Sequence, residues 1–144
     1  MFLRPSRWML SPLTATLVAC AGGNAAQTPP PSLWGSAWQL VELGGQTVMP
    51  DPVATLAFAA EGQVSGQGSC NRFFGPVDIK GDRLSFGPLG STKMACIGGA
   101  SQQEARYLGA LHKAQRYEVK DGMLLIHVEG MSQPLRFTRS TRPQ

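Results

Sequence analysis

The chain has 144 residues, with 13 Lys and Arg side chains against 9 Asp and Glu and three cysteines. This length is enough for one domain with a modest core and leaves no room for a second. The formal charge of +4 comes from basic residues scattered along the chain, so the composition does not support nucleic-acid binding.

The beginning of the chain has the order of features of a bacterial lipoprotein signal. Arg4 and Arg7 form a basic start, residues 8–19 form an apolar stretch, and Cys20 closes a Leu-Val-Ala-Cys run. The stretch of 12 residues is too short to cross a bilayer, because a spanning helix needs about 20. We predict that residues 1–19 are removed and that the lipid is attached to Cys20. An ordinary secretory signal or a cytosolic N-terminus is the alternative.

The predicted anchor changes how the rest of the chain is interpreted. The mature protein would keep 11 basic side chains against 9 acidic ones, which weakens nucleic-acid binding further. Its location would be the cell envelope, and by the usual sorting convention Ala21 favours the periplasmic face of the outer membrane. Cys70 and Cys96 would then lie in an oxidising compartment, where a disulfide is favoured. Two free thiols and a redox-active pair are the alternatives.

A proline-rich tether follows the predicted anchor over residues 20–32. It ends in Thr-Pro-Pro-Pro-Ser, and such runs favour extended polyproline II at about 3.1 Å per residue. A tether of this length could hold a domain up to roughly 35 Å from the bilayer. We place a single folded domain at residues 33–140 and a tail at 141–144.

The first half of this domain has the pattern of short antiparallel strands. Apolar residues alternate with polar ones in short runs between residues 34 and 86, and glycine-containing turns separate the runs. The turns fall at Gly44-Gly45, Glu61-Gly62 and Gly81-Asp82.

A single helix is predicted from about residue 101 to 115. Ser101 and Glu104 have the spacing of a capping box, in which each side chain satisfies a free backbone donor at the helix start. The predicted apolar face of this helix consists of Tyr107, Leu108, Leu111 and Ala114. Lys113 and Arg116 lie near its negative C-terminal end.

The last third of the chain predicts a hairpin and a final strand. Asp121-Gly122 is a two-residue turn of the kind that needs positive φ, and residues 123–128 return as an apolar strand. Leu135 and Phe137 mark the last strand. The elements together predict an α+β domain: a curved, barrel-like antiparallel sheet with one packed helix.

The two later cysteines lie in distinctive segments, Cys70-Asn71-Arg72-Phe73 and Thr92-Lys93-Met94-Ala95-Cys96. With Trp38-Gln39-Leu40 before them and Glu104 after them, the chain resembles the META domain family, which includes heat-inducible bacterial lipoproteins of the HslJ type. The resemblance spans about residues 34–139. One departure is Ser69, which stands where a glycine is common.

The resemblance implies an envelope protein associated with stress and drug tolerance, and it implies no enzymatic reaction. The motif residues must therefore be interpreted from their own chemistry. Asn71 is expected to fix a turn beside the cysteine pair, since asparagine bonds to neighbouring backbone. Arg72 is expected to pair with Asp78 or Glu104, with anion binding as the alternative. Thr92 belongs to the second motif.

The sequence offers no catalytic, metal or cofactor site. His112 and His127 have no ligand partner at a suitable spacing, and no serine lies in a nucleophile elbow.

The first functional hypothesis is a non-enzymatic accessory that is attached to the membrane by its lipid and binds an envelope protein or another envelope component. The second is a carrier of a small apolar ligand inside the barrel. Its hollow would be lined by Phe58, Phe86, Leu125 and Phe137. The third, a hydrolase or redox enzyme, has no mechanism in this sequence.

Overall fold

The computed structural model describes residues 28–141, so Cys20 and most of the predicted tether lie outside the described residues. Within this range there are ten strands and one helix. The strands are β1 (Ser36–Leu43), β2 (Gln46–Thr47), β3 (Thr55–Ala60), β4 (Gln63–Gln67), β5 (Arg72–Lys80), β6 (Arg83–Phe86), β7 (Gly90–Ser91), β8 (Ala114–Lys120), β9 (Met123–Val128) and β10 (Leu135–Arg139). The helix α1 spans Ala100–Leu111.

Eight of the strands form a closed antiparallel barrel in the order β1-β3-β4-β5-β6-β8-β9-β10. The barrel closes where the first strand meets the last, with Leu40 opposite Phe137. The two short strands lie outside the barrel circuit, because among the described strands β2 pairs only with the end of β1 and β7 pairs only with β5. The predicted α+β barrel with a single helix is therefore confirmed.

Local sequence explains the strands and the tightest hairpin. Along β5, Phe73, Gly75 and Val77 are buried while the residues between them are exposed, which is the period of two expected for a strand with one face inside. Asp121 and Gly122 have φ values of 53° and 75°, as a type I′ turn requires.

The helix closes one end of the barrel with an aromatic side chain. The Tyr107 ring lies 5.8 Å from the Phe73 ring and 6.2 Å from the Phe137 ring, measured between centroids. Tyr107 and Leu111 are fully buried, so α1 packs into the core by this face. No helix in the described part of the chain is both long enough and apolar enough to span a bilayer.

The helix differs from its prediction at both ends. It ends at Leu111, and Ala114 instead faces the core from β8, opposite Val128 of β9. The prediction of a capping box is also wrong, because the N-cap residue is Gly99 and it makes no side-chain hydrogen bond. Ser101 Oγ donates to the Cys96 carbonyl oxygen at 3.4 Å, and the Glu104 carboxylate accepts from the Cys70 backbone N–H instead of from the helix start.

The barrel interior is filled by side chains. Phe58 and Phe137 are fully buried and Phe86 nearly so, in one cluster with the other core residues. The prediction for Leu125 is wrong: it is half-buried on the outside, while Leu124 and Ile126 point inward. The hollow that a carrier would need is therefore occupied by the core.

Tyr107 gives the fold a testable response to alkaline pH. Its hydroxyl donates to the Thr55 carbonyl oxygen at 3.0 Å, and burial raises the pKa of Tyr107 well above its usual value of 10.0. Because the folded pKa exceeds the unfolded one, the contribution of neutral Tyr107 to stability is complete below the unfolded pKa. It is lost as the pH rises from there through the folded pKa.

Tyr107→Phe is therefore expected to reduce the loss of stability that sets in as the pH rises above about 10, while removing about 1 kcal/mol at neutral pH. Urea unfolding at several pH values measures both effects. An equally steep alkaline loss in the variant and the parent would refute the assignment to Tyr107.

Candidate functional site

The motif residues meet at Glu104, on the second turn of the helix. Its Oε2 atom accepts hydrogen bonds from the backbone N–H of Cys70 at 3.0 Å and of Asn71 at 2.5 Å. Its Oε1 atom accepts one from Asn71 Nδ2 at 2.9 Å. The glutamate thus caps the loop between β4 and β5 and joins the helix to it.

The loop is shaped to admit this carboxylate. A Cβ atom added at Gly68 would lie 2.6 Å from Glu104 Oε2, so any larger residue there would collide with it. Ser69 has a φ of 99°, a conformation that glycine adopts more readily. This explains why glycine is common at this position in the family that the chain resembles. Gln103 Nε2 donates to Ser69 Oγ at 2.7 Å and helps to hold the strained residue.

Asn71 joins this loop to the second motif. Its Oδ1 atom accepts hydrogen bonds from Thr92 Oγ1 at 3.0 Å and from the Met94 backbone N–H at 2.7 Å. Its Nδ2 atom also contacts the Met94 carbonyl oxygen at 3.3 Å. Asn71 therefore bridges the two motif segments and the helix, whereas the sequence suggested that it bonds to neighbouring backbone within one turn.

The two cysteines lie at the same place. The Cα atoms of Cys70 and Cys96 are 5.8 Å apart and their sulfur atoms are bonded, with Cys70 buried and Cys96 half-buried. The pair is thus able to form the bridge, and its oxidation in the cell stays a prediction.

Arg72 is outside the network. Its side chain is exposed on the outer face of β5, and within residues 28–141 it forms no ion pair with Asp78 or Glu104. The expected pairing is therefore wrong. The period of two turns the Arg72 side chain outward, away from Glu104. Asp78 faces outward too, but it lies six residues further along β5, about 20 Å away.

The contacts of Glu104 and Asn71 support the fold by joining the helix to two loops. Both carboxylate oxygens of Glu104 accept hydrogen bonds from buried donors. The side-chain amide of Asn71 forms hydrogen bonds with Thr92, Met94 and Glu104. The residues that the structure describes include no group of three or more His, Cys, Asp or Glu side chains placed to hold a metal.

What the network presents to solvent is the loop between β7 and α1. On it, Ile97 is 97% exposed and Met94 is 62% exposed, although both are large apolar side chains. The Met49 side chain lies against Gly99 at the end of the same loop and is 37% exposed. We call Met49, Met94 and Ile97 the loop surface. Sequence reasoning missed it, because an apolar residue near a cysteine motif is expected to be core.

The loop surface is held by several restraints. Met94 is fixed by Asn71, Cys96 is attached to Cys70, and the Met49 backbone N–H donates to Gln103 Oε1 at 2.7 Å. The single charged side chain within residues 91–99 is the exposed Lys93. The surface is thus apolar, positively charged at one edge and attached to the barrel and the helix by these contacts.

The fold and site define a small barrel closed by a helix, with the motif residues acting as a structural clasp. A family model of the META domain matches residues 31–141. The chain belongs to the META domain family. The HslJ type stays a prediction.

Two solved structures are similar to the chain. An NMR structure of a protein from Burkholderia xenovorans has a TM-score of 0.64 at 25% identity, covering 99% of this chain and 100% of that one. A second NMR structure has a TM-score of 0.58 at 21% identity, covering 72% of this chain and 87% of that one, and supports the fold alone. A search of curated proteins gives no match.

Proposed function

We propose that the chain is a non-enzymatic lipoprotein of the cell envelope that supports tolerance of stress or drugs by binding another envelope protein through the loop surface. The observation that carries the proposal is the 97% exposure of Ile97 on a loop fixed by a disulfide-bonded cysteine pair and by Asn71. Grouped exposed apolar side chains mark interaction sites in soluble domains, and Met49, Met94 and Ile97 lie on or beside the same loop.

The chemistry of the loop surface describes its partner. Met49, Met94 and Ile97 offer flexible and branched apolar contacts, and Lys93 adds one positive charge at the edge. The partner is therefore a protein with an apolar depression that has an acidic side chain beside it. Rigidity favours binding, since less conformational entropy is lost when a loop is already ordered.

The predicted lipid on Cys20 supplies the location. A domain attached through residues 20–32 would stay close to the bilayer on the periplasmic face of the outer membrane, where its partners would be other envelope proteins. Two acyl chains or more would make the attachment stable. The alternative role as a carrier of a small apolar ligand has less support, because the core residues fill the barrel interior.

Complementation of a gene deletion tests the proposal. A strain lacking the gene should lose tolerance to heat, detergent or hydrophobic antibiotics, and the wild-type gene should restore it. Ile97→Ser should fail to restore tolerance although the protein folds and stays in the membrane fraction. Cys20→Ser should also fail, and for a different reason, because the protein leaves the membrane fraction.

Gln102→Ser serves as the matched control, since Gln102 is exposed on the first turn of the helix next to the loop. It should restore tolerance fully. Normal tolerance in the strain that carries Ile97→Ser would exclude the loop surface as the functional site. Unchanged membrane fractionation of Cys20→Ser would exclude the lipid anchor.

A further inference from the structure

A row of basic side chains crosses the outside of the barrel, remote in sequence from the loop surface. Lys80 of β5 is opposite Arg83 of β6, and Arg83 is in turn opposite Arg116 of β8. Residues directly opposite in antiparallel strands share a face, and all three side chains are exposed. Three positive charges therefore lie side by side on adjacent strands.

Such a row is unfavourable unless something compensates for it. Like charges directly opposite each other on a sheet destabilise the pairing. Lys80 has a partial partner, since its Nζ atom is 3.6 Å from Asp78 Oδ2. Within the described residues, Arg83 and Arg116 form no ion pair. Asp82 lies beside them in the turn.

The strands separate at this row and leave a groove. β6 and β8 share a single register pair, Arg83 with Arg116, and the Tyr117 backbone N–H donates to the Asp82 carbonyl oxygen at 2.8 Å. Beyond that point the strands diverge around an open cavity of about 690 Å³. Its lining holds three cations and two carboxylates, so positive charge exceeds negative by one. The lining residues are Lys80, Arg83, Arg116, Asp78, Asp82, Leu84, Ser85, Ala114 and Gln115.

The groove combines the features of an anion site with room for an organic group. Two guanidinium groups can bind phosphate oxygens in bidentate geometry. Ser85 and Gln115 are exposed in this lining and supply hydrogen-bonding groups, while Leu84 and Ala114 belong to the core beneath it. The volume is much larger than one phosphate group needs and falls in the range of small-molecule sites.

We propose that the groove between β6 and β8 binds a phosphate-bearing ligand, with Arg83 and Arg116 contacting its phosphate group. The charge row then has a function, because the anion neutralises the repulsion between opposite arginines. The chemistry is shared by a soluble organic phosphate and by the headgroup of an acidic phospholipid.

Calorimetric titration of the full chain with inorganic pyrophosphate tests the soluble form of this ligand. Arg83→Gln and Arg116→Gln should each weaken binding about tenfold, the loss expected for one charge-assisted hydrogen bond. Lys120→Gln is the matched control, because Lys120 is an exposed cation about 13 Å further along β8. It should leave pyrophosphate binding unchanged.

Thermal unfolding without ligand adds an independent readout. If the arginines repel each other, Arg116→Gln should melt at the same temperature as the parent or higher, so a loss of binding would not reflect misfolding. A lower melting temperature in Arg116→Gln would mean that the row has a structural role, and it would contradict the proposal.

Vesicle sedimentation distinguishes the source of the phosphate. The Cys20→Ser chain, which has no lipid at that position, is mixed with phosphatidylcholine vesicles with and without phosphatidic acid. Binding that needs phosphatidic acid and is lost on adding Arg83→Gln and Arg116→Gln would identify a headgroup site, whereas pyrophosphate binding alone would identify a soluble ligand. Failure of both probes, or equal binding by the double arginine variant, would overturn the proposal.

Discussion

Glu104→Ala is expected to lower the free energy of unfolding by about 4 kcal/mol, more than any other single substitution in this domain for which we predict a stability change. The carboxylate accepts hydrogen bonds from two backbone N–H groups and from Asn71 Nδ2, and Glu104 is only 8% exposed. Alanine would leave the two backbone N–H groups buried without a partner, and Asn71 Nδ2 would keep only its contact with the Met94 carbonyl oxygen at 3.3 Å. Each unsatisfied donor costs about 1–3 kcal/mol, and relaxation of the loop would recover part of the sum.

Urea unfolding of three variants measures this effect. Glu104→Gln should lose about half as much as alanine, because the amide keeps one oxygen for the backbone donors but turns its NH₂ toward Asn71 Nδ2. This milder variant keeps the test informative if the alanine variant does not fold. Gln102→Ala is the control on the same helix, and it should change stability by less than about 0.5 kcal/mol.

A double-mutant cycle with Asn71→Ala sharpens the same prediction. The two residues bond to each other, so the combined loss should be smaller than the sum of the single losses by about 1 kcal/mol or more. Additive losses, or a loss below about 1 kcal/mol for Glu104→Ala, would mean that the clasp does not hold the helix to the barrel.

Removal of the cysteine bridge is expected to lower the free energy of unfolding by about 3.5 kcal/mol. Cys70 and Cys96 are 26 residues apart in sequence, and closing a loop of this length restricts the unfolded chain. For a small domain this is a large share of the total stability. The comparison is best made in a Cys20→Ser chain, where these two are the only cysteines.

Denaturant unfolding with and without reductant gives the measurement. The parent should lose about 3.5 kcal/mol on reduction, whereas Cys70→Ala/Cys96→Ala should not respond to the reductant at all. Mass spectrometry after alkylation of the folded protein without reductant provides the check on oxidation state. Two alkylated thiols at Cys70 and Cys96 would show that the bridge does not form.

The loop surface should also become mobile when either the disulfide or the Asn71 side chain is removed. The disulfide and the bonds from Asn71 to Met94 both restrain residues 92–99. The proposed function therefore depends on Glu104 and the cysteines indirectly, through the order of the loop, and on Ile97 directly.

Local patterns predict the fold class because the strands and the hairpin are coded by neighbouring residues. The Asp121-Gly122 turn and the alternation along β5 are visible in the sequence, and both occur in the structure. The pairing of β1 with β10 could not be predicted in this way, since the two strands are separated by nearly the whole domain. Closure of the barrel is a property of the assembled sheet.

Resemblance to the family identifies the motif residues, but it does not predict which residues they contact. Ser101 and Glu104 have the spacing of a capping box, and local reasoning therefore places Glu104 at the helix start. In the structure Glu104 is 33 residues away from its main partner, Asn71, and tertiary contacts determine which donor it meets. The wrong placement of Leu125 in the barrel interior has a similar cause. In a strand whose residues are nearly all apolar, the sequence does not show which alternate side chains face inward.

The most direct test of the central claim is photocrosslinking in the living envelope with a photoreactive residue placed at position 97. We predict one discrete crosslinked protein partner from position 97, and none from the control position 120 on the hairpin between β8 and β9. The partner should disappear when Met94→Ser is added, since this change removes a neighbouring apolar contact. Identical crosslinking patterns from positions 97 and 120, or no crosslinked protein from position 97, would contradict the assignment of the loop surface as the binding site.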